Sequence, residues 1–95
     1  MNHGALKHDP EDDVAVVIQD AAAGTQIKIV TLESEEVGSV EAVEDIPLGH
    51  KIAAKDLAEG KEVIEYGRPI GKATQNISGG AHVHTHNLKS IRWGK

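Results

Sequence analysis

The stretch Asp45-Ile-Pro-Leu-Gly49-His-Lys-Ile52 carries a pattern that the chain repeats three more times. In each copy an Asp or Asn is followed by Gly four residues later and by Ile or Val seven residues later, usually with an apolar residue directly after the Asp or Asn. The other copies are residues 20–27, 56–63 and 76–83. Their starts are 25, 11 and 20 residues apart, which excludes a repeat protein of fixed period.

The chemistry of each copy predicts a tight turn that leads into a strand. The side chain of Asp or Asn can accept a hydrogen bond from a backbone N–H of its own turn. Gly tolerates the positive φ that ends such a turn, and the following Ile or Val begins an extended segment. One copy could arise by chance in a chain with ten Gly, whereas four copies with the same spacing indicate a shared structural unit.

Short β-branched or alternating stretches between these units predict a mostly β fold of short strands and tight Gly turns. Residues 14–18 form an apolar run that is typical of a buried strand. The further candidate strands are residues 26–31, 38–43, 62–65, 69–75 and 81–86. A helix is expected only around residues 53–59, where it would be short and would leave the fold with little helix.

Length and composition indicate one small domain. The chain has 95 residues, of which we expect 1–11 to be a flexible acidic N-terminus and 12–93 to form the domain. The absence of Cys excludes disulfides and cysteine metal sites. No apolar run approaches the roughly 20 residues of a membrane-spanning helix, so we expect no membrane association and a cytoplasmic protein.

The charges are unevenly distributed along the chain. Residues 1–45 hold two Lys against eleven Asp and Glu, a net charge of −9, whereas residues 46–95 hold eight Lys and Arg against four Asp and Glu, a net charge of +4. The acidic half and the aromatic content of 2% argue against nucleic acid as a partner. The basic half can attract a small anion or an acidic partner surface, although segregated solvated charge also explains it.

Three of the six histidines, His82, His84 and His86, alternate along the last candidate strand. Alternate residues of a strand point to the same face, with neighbours about 6.6 Å apart and the outer pair about 13 Å apart. One metal ion would therefore use two of these imidazoles, unless the chain turns near Asn87. His50 follows Gly49 in another unit and could supply a further group.

Several functions remain compatible with these histidines. Without Cys, and with no carboxylate nearby in sequence, a closed zinc site is disfavoured, and an open metal site completed by another chain fits better. Acid–base catalysis or contact with an anionic substrate would need no metal. Exposed histidines on an edge strand can also lack any function. We assign no role to His3 and His8.

Three other residues are weaker candidates. Lys51 and Arg68 could each bind a carboxylate, although single basic residues are usually only solvated. Trp93 either contacts another chain or packs back on its own domain.

Three blocks of the sequence resemble a known family. Asp45-Ile-Pro-Leu-Gly-His-Lys-Ile-Ala53, Val63-Ile-Glu-Tyr-Gly-Arg-Pro-Ile-Gly71 and His82-Val-His-Thr-His-Asn-Leu88 resemble the SAF domain of the altronate/galactarate dehydratase family, which includes the sulfolactate sulfo-lyase small subunit. The resemblance covers about residues 12–93. It implies a β-clip fold and a lyase that eliminates water, or sulfite, from an anionic sugar acid or hydroxy acid.

The resemblance also implies a cofactor and a partner. The dehydratases of the family depend on a divalent metal, iron or manganese, in a site shared with a large catalytic domain or subunit. The chain is then a small subunit that completes its active site with that partner, and it could also self-associate. A non-catalytic module that binds sugar acids, or a metal-binding accessory protein, are the alternatives.

On this resemblance, the residues of the expected site fall into three groups. The expected catalytic residues are His84, His86 and His50. Lys51 and Asn87 are the expected contacts with substrate. The expected metal ligands are His82, His84 and His86. A base would remove the proton next to the carboxylate, and a Lewis-acidic metal would stabilise the resulting enediolate.

Overall fold

The computed structural model describes residues 4–90, and these residues form nine β-strands and no helix. The strands are β1 (Gly4–Lys7), β2 (Val14–Val17), β3 (Gln26–Thr31), β4 (Glu36–Glu41), β5 (Lys51–Ala53), β6 (Glu62–Glu65), β7 (Arg68–Ala73), β8 (His82–Val83) and β9 (Leu88–Ser90). The expectation of a mostly β fold is confirmed. Since residues 4–90 contain no helix at all, none of them provides a helical membrane span.

The strands form two sheets. The larger sheet has the order β4-β3-β1-β2-β5-β8, and the smaller has the order β6-β7-β9. Within the larger sheet β1 and β3 are parallel, whereas β2 pairs with β1 and β5 in antiparallel fashion. The short helix expected at residues 53–59 is absent because Leu57 instead makes an antiparallel bridge with Ile77.

The units at residues 20–27 and 45–52 pair with each other in a reciprocal way. Asp20 Oδ1 accepts a hydrogen bond from Leu48 N at 2.8 Å, and Asp45 Oδ1 accepts one from Ala23 N at 2.9 Å. Ala21 and Ile46 also exchange two backbone hydrogen bonds. Each acidic side chain therefore satisfies a backbone donor in the other turn.

The units at residues 56–63 and 76–83 repeat this arrangement. Asp56 Oδ1 accepts a hydrogen bond from Gly79 N at 2.8 Å, and Asn76 Oδ1 accepts one from Glu59 N at 2.9 Å. The sequence pattern predicted that each Asp or Asn bonds within its own turn. The structure corrects this point, because the acceptor lies in one unit and the donor in its partner.

The apolar positions of the four units supply much of the core. All residues one position after the Asp or Asn are buried: Ala21, Ile46, Leu57 and Ile77. So are all residues seven positions after it: Ile27, Ile52, Val63 and Val83. The core consists of two clusters, and the first two units contribute to one cluster while the last two contribute to the other.

Residues 4–7 belong to the sheet, which differs from the expectation that residues 1–11 form a flexible terminus. Ala5 is completely buried, and β1 lies between β2 and β3. The acidic composition of the segment hid the short alternation of buried and half-buried residues in β1.

Two buried acids at the start of β2 connect the two sheets. Asp13 is 2% exposed, and its Oδ2 accepts hydrogen bonds from Lys61 Nζ at 2.9 Å and from Ile64 N at 3.0 Å. Asp12 is completely buried and accepts hydrogen bonds from the backbone N–H groups of Tyr66 and Gly67. These carboxylates therefore hold the β6–β7 hairpin against the larger sheet.

Substituting Gly80 and Gly60 separately by Ala tests the packing of the last two units. Both glycines have positive φ, at 93° and 88°, so each substitution should lose about 1–2 kcal/mol of unfolding free energy. A Cβ on Gly80 would also collide with the carbonyl oxygen of Glu41, whereas a Cβ on Gly60 would meet no atom within 4 Å. In urea unfolding, we expect Gly80→Ala to cost about 1–3 kcal/mol more than Gly60→Ala. Equal losses would contradict this close approach.

The stability of the protein should depend on the ionisation of Asp13. Burial alone would raise the pKa of Asp13, but hydrogen bonds from Lys61, Ile64 N and Lys55, together with the charge of Lys61, lower it below 3.8. A lowered pKa stabilises the folded state above pH 3.8, and this contribution is lost as the pH falls through the folded-state pKa.

Asp13→Asn should reduce the unfolding free energy at pH 7 by about 1–3 kcal/mol and weaken its dependence on pH below 4, as measured by urea unfolding. Asp20→Asn is the control, because Asn76 performs the same role in another unit. If Asp13→Asn left both the stability and the acid dependence unchanged, Asp13 would not anchor the hairpin.

Candidate functional site

The pairing of β5 with β8 brings histidines from two different units together. Ile52 lies opposite His82 in the register, and His50 directly precedes β5. His50, Ile52 and His82 therefore share one face of the sheet. The Nδ1 atom of His50 lies 2.9 Å from Nε2 of His82.

His84 joins this pair from just beyond the end of β8. Its ring stacks on that of His82, with centroids 5.4 Å apart and planes 8° from parallel, as the alternation predicted. Its ring centroid lies 5.0 Å from that of His50. One nitrogen from each of His50, His82 and His84 lies within 4.8 Å of the other two, and we call these three residues the histidine group.

His86 lies beside the histidine group but outside it. The strand ends at Val83 and residues 84–87 turn, so the ring of His86 is 5.5 Å from that of His82. The turn near Asn87 was one of the two arrangements that the spacing allowed. The expected ligand set of His82, His84 and His86 thus differs from the set that the structure assembles, since His50 takes the place of His86.

The geometry of the histidine group fits a divalent metal ion. Two nitrogen ligands at right angles, each about 2.1 Å from an ion, are about 3 Å apart, which matches the separation between His50 and His82. Without an ion, the same separation fits a hydrogen bond in which one of the two nitrogens is protonated. His50 and His82 are half-buried and His84 is exposed, so the histidine group is open to solvent on the side of His84.

The environment of His82 favours its neutral form. Burial lowers the pKa of His82 below 6.5, and positive charge on His50, His86 or His84 would lower it further. The carboxylate of Glu44 acts in the opposite direction. A neutral imidazole is the form that binds metals and accepts protons.

Glu44 is a residue that the sequence analysis did not connect with the histidines. Its Oε2 accepts a hydrogen bond from the backbone N–H of His82 at 3.0 Å, although the two residues are 38 positions apart. No carboxylate lies close to His82, His84 and His86 in sequence, so only the pairing of distant units brings Glu44 near them. Glu44 is exposed and is available to groups outside the chain.

Lys51 lies on the other face of β5 from the histidine group. Its register partner is Val83, and its Nζ lies 3.7 Å from Oε1 of the buried Glu65. Burial raises the pKa of Glu65, and the charge of Lys51 opposes that shift. The structure therefore does not bring Lys51, the expected contact with substrate, to the histidine group.

Asn87, the other expected contact with substrate, is only 3% exposed. Both polar atoms of its carboxamide bond to the backbone of the turn, one to His84 N and the other to His82 O. The structure therefore assigns Asn87 to the turn that carries the histidines and not to a surface that a substrate could reach.

The remaining candidates lie apart from this group. Arg68 is exposed in β7. His8, which received no role, packs its ring against that of Tyr66 with centroids 4.0 Å apart. His3 and Trp93 lie outside the described residues, so both interpretations of Trp93 stay predictions.

Comparison with protein families gives a match over almost the entire chain. Residues 3–91 match the family described as altronate/galactarate dehydratase SAF domain. The matched segment contains all four units and every member of the histidine group.

Comparison with curated proteins gives relatives of two lengths. The chain is 40% identical over 94 residues to (2R)-sulfolactate sulfo-lyase subunit alpha of Chromohalobacter salexigens, which covers 98% of this chain and 100% of that protein. It is 53% identical over 49 residues to the subunit of the same name from Paracoccus pantotrophus, covering 52% of this chain and 73% of that one. It is 40% identical over 79 residues to altronate dehydratase of Escherichia coli, covering 83% of this chain but only 15% of that enzyme.

Single substitutions of His84 and His86 distinguish the two possible ligand sets. We expect the full chain to bind Co²⁺ and His84→Ala to weaken the affinity by at least about 10-fold, because one of three ligands is lost. His86→Ala, the matched control two residues away, should change the affinity far less. Equilibrium dialysis gives both values. A larger loss with His86→Ala than with His84→Ala would favour the ligand set expected from the sequence.

Proposed function

Because the chain belongs to the altronate/galactarate dehydratase SAF domain family, we propose that it is the small subunit of a lyase acting on an anionic hydroxy acid. The lyase eliminates sulfite or water, and the active site is completed by a large catalytic subunit. We place sulfite elimination from a sulfolactate-type substrate first.

The observation that carries this proposal is the coverage of the relatives. The chain aligns with all of a sulfo-lyase subunit alpha but with only 15% of an altronate dehydratase. The match to the sulfo-lyase subunit runs over the whole of that relative, whereas the match to the dehydratase is confined to a small part of it. A relative matched over its whole length favours the sulfo-lyase type.

The proposed reaction is a β-elimination. A base takes the proton from the carbon that carries the carboxylate and a hydroxyl group. The bond from the neighbouring carbon to sulfur then breaks, sulfite leaves with the bonding electrons, and the enol product tautomerises to a 2-oxo acid. In a dehydratase, the bond that breaks is the one to a hydroxyl oxygen, and water leaves after protonation.

The residues that would hold the divalent metal are His50, His82 and His84. When bound, the ion supplies positive charge that stabilises the negative charge developing on the substrate oxygens. Imidazole donors suit iron, whereas manganese prefers carboxylate and carbonyl oxygens. Of the two metals expected for the family, we therefore propose iron for this donor set.

The exposed His86 has a separate role in this proposal. It lies outside the histidine group, at the open side of the site, where a partner chain and the substrate would meet it. Its neutral imidazole can accept a proton, and its conjugate acid can return one to the leaving group. The net charge of +4 on residues 46–95 favours the approach of an anionic substrate.

Reconstitution tests the proposed function. The Chromohalobacter salexigens sulfo-lyase is prepared without its subunit alpha, and this chain is added in place of that subunit. The release of sulfite from (2R)-sulfolactate is then measured. We expect turnover that depends on the added chain and falls by about 10-fold or more with His84→Ala, because the ion loses one of its three protein ligands.

His8→Ala is the control, because His8 packs against Tyr66 and has no contact with the histidine group. Full turnover with His84→Ala would contradict the assigned site. If the chain restores no sulfite release, formation of a 2-oxo acid from altronate with the remainder of the Escherichia coli dehydratase tests the water-eliminating type. Failure with both substrates would contradict the lyase proposal.

A further inference from the structure

Asn87 makes a set of bonds that fixes the turn after β8. Its Oδ1 accepts a hydrogen bond from His84 N at 2.9 Å, and its Nδ2 donates one to His82 O at 2.8 Å. Its backbone N–H bonds to His84 O at 3.1 Å, and its backbone oxygen accepts a bond from Thr74 N at 2.9 Å. The buried Asn87 is thus bonded to the backbones of both His82 and His84, the two members of the histidine group nearest to it in sequence.

To bond to both His84 N and His82 O, the side chain at position 87 needs a hydrogen-bond acceptor and a hydrogen-bond donor at the same distance from its own backbone. His84 N and His82 O belong to the point where β8 ends and the chain turns. Among side chains of this length only Asn offers an N–H and an oxygen together. An apolar side chain would leave both backbone groups without these partners, which is unfavourable where water has little access.

We propose that Asn87 is a positioning residue that sets the orientation of His84 toward His50 before any metal ion binds. Its carboxamide fixes the direction of the chain between His82 and His84, and the near-parallel rings of these two residues follow from that direction. This inference rests on the proposed function in one respect, namely that the histidine group holds a divalent ion. It replaces the expectation that Asn87 contacts substrate.

Asn87→Leu tests this role, because Leu has nearly the same shape but can make neither bond. Asn76→Leu is the matched control. It removes a hydrogen bond from a turn of the same fold, that between Asn76 Oδ1 and Glu59 N, at a position outside the histidine group. Affinity for Co²⁺ is measured by equilibrium dialysis on the full chain, at a temperature where circular dichroism shows each variant to be folded.

We expect Asn87→Leu to weaken Co²⁺ binding by about 10-fold or more, as loss of a supporting residue typically does, and to perturb the visible spectrum of the bound Co²⁺. Asn76→Leu should retain the affinity and spectrum of the wild type even where its melting temperature falls. Equal Co²⁺ affinity in wild type and Asn87→Leu would overturn the positioning role alone. If wild type and Asn76→Leu bind no Co²⁺, the metal site itself fails and the inference fails with it.

Hydrogen exchange on the unsubstituted chain gives an answer even if Asn87→Leu does not fold. If Asn87 forms the turn in advance, the His84 amide is protected to the same degree with and without Zn²⁺ in NMR exchange measurements. Protection that arises only when Zn²⁺ is added would mean that the ion itself forms the turn, and the proposed role of Asn87 would be overturned.

Discussion

The fold depends on turns that satisfy one another. In each of the four units, a side-chain oxygen of Asp or Asn accepts a hydrogen bond from a backbone N–H of another unit, and the units form two reciprocal pairs. A single such bond contributes only about 1 kcal/mol. Four of them, each next to a buried apolar residue, hold the paired turns together and so help to align the intervening strands.

The histidine group lies where these two pairs of units meet. His50 belongs to the second unit and His82 to the fourth, and the link between them is the pairing of β5 with β8. Gly80 strengthens the same junction, since its oxygen accepts a bond from Val43 N and its α-carbon approaches the backbone of Glu41. The histidine group is therefore formed by the contact between the two pairs of units. The segment that contacts Gly80 also carries Glu44, whose carboxylate bonds to the backbone of His82.

Polar anchors compensate for a core of small side chains. The chain has no Phe, and Ala, Val, Ile and Leu provide the buried apolar surface. Asp12 and Asp13 are buried and bond to the β6–β7 hairpin, and Asn87 is buried and bonds to the turn of the histidines. Removing such a group leaves backbone donors unsatisfied, so these positions are as restricted as the apolar ones.

Local sequence was sufficient to locate the units, their glycines, most strands and the shared face of His82 and His84. These features follow from rules that act within a few residues: the φ of glycine, the alternation of a strand and the preference of Ile and Val for extended chain. The turn after β8 appeared only as one of two options, because spacing alone does not say where a strand ends. The polar, acidic composition of residues 1–11 concealed the strand that residues 4–7 form.

Only the tertiary structure decided which unit pairs with which, and the site depends on that choice. In the structure, His50 belongs to the histidine group and His86 lies at its edge. Lys51 pairs with Glu65, and Asn87 is buried in the turn after β8. The physical reason is that the four units are nearly equivalent as local sequence. Their pairing is selected by the free energy of the whole sheet, to which hydrogen bonds between residues far apart in the chain contribute together.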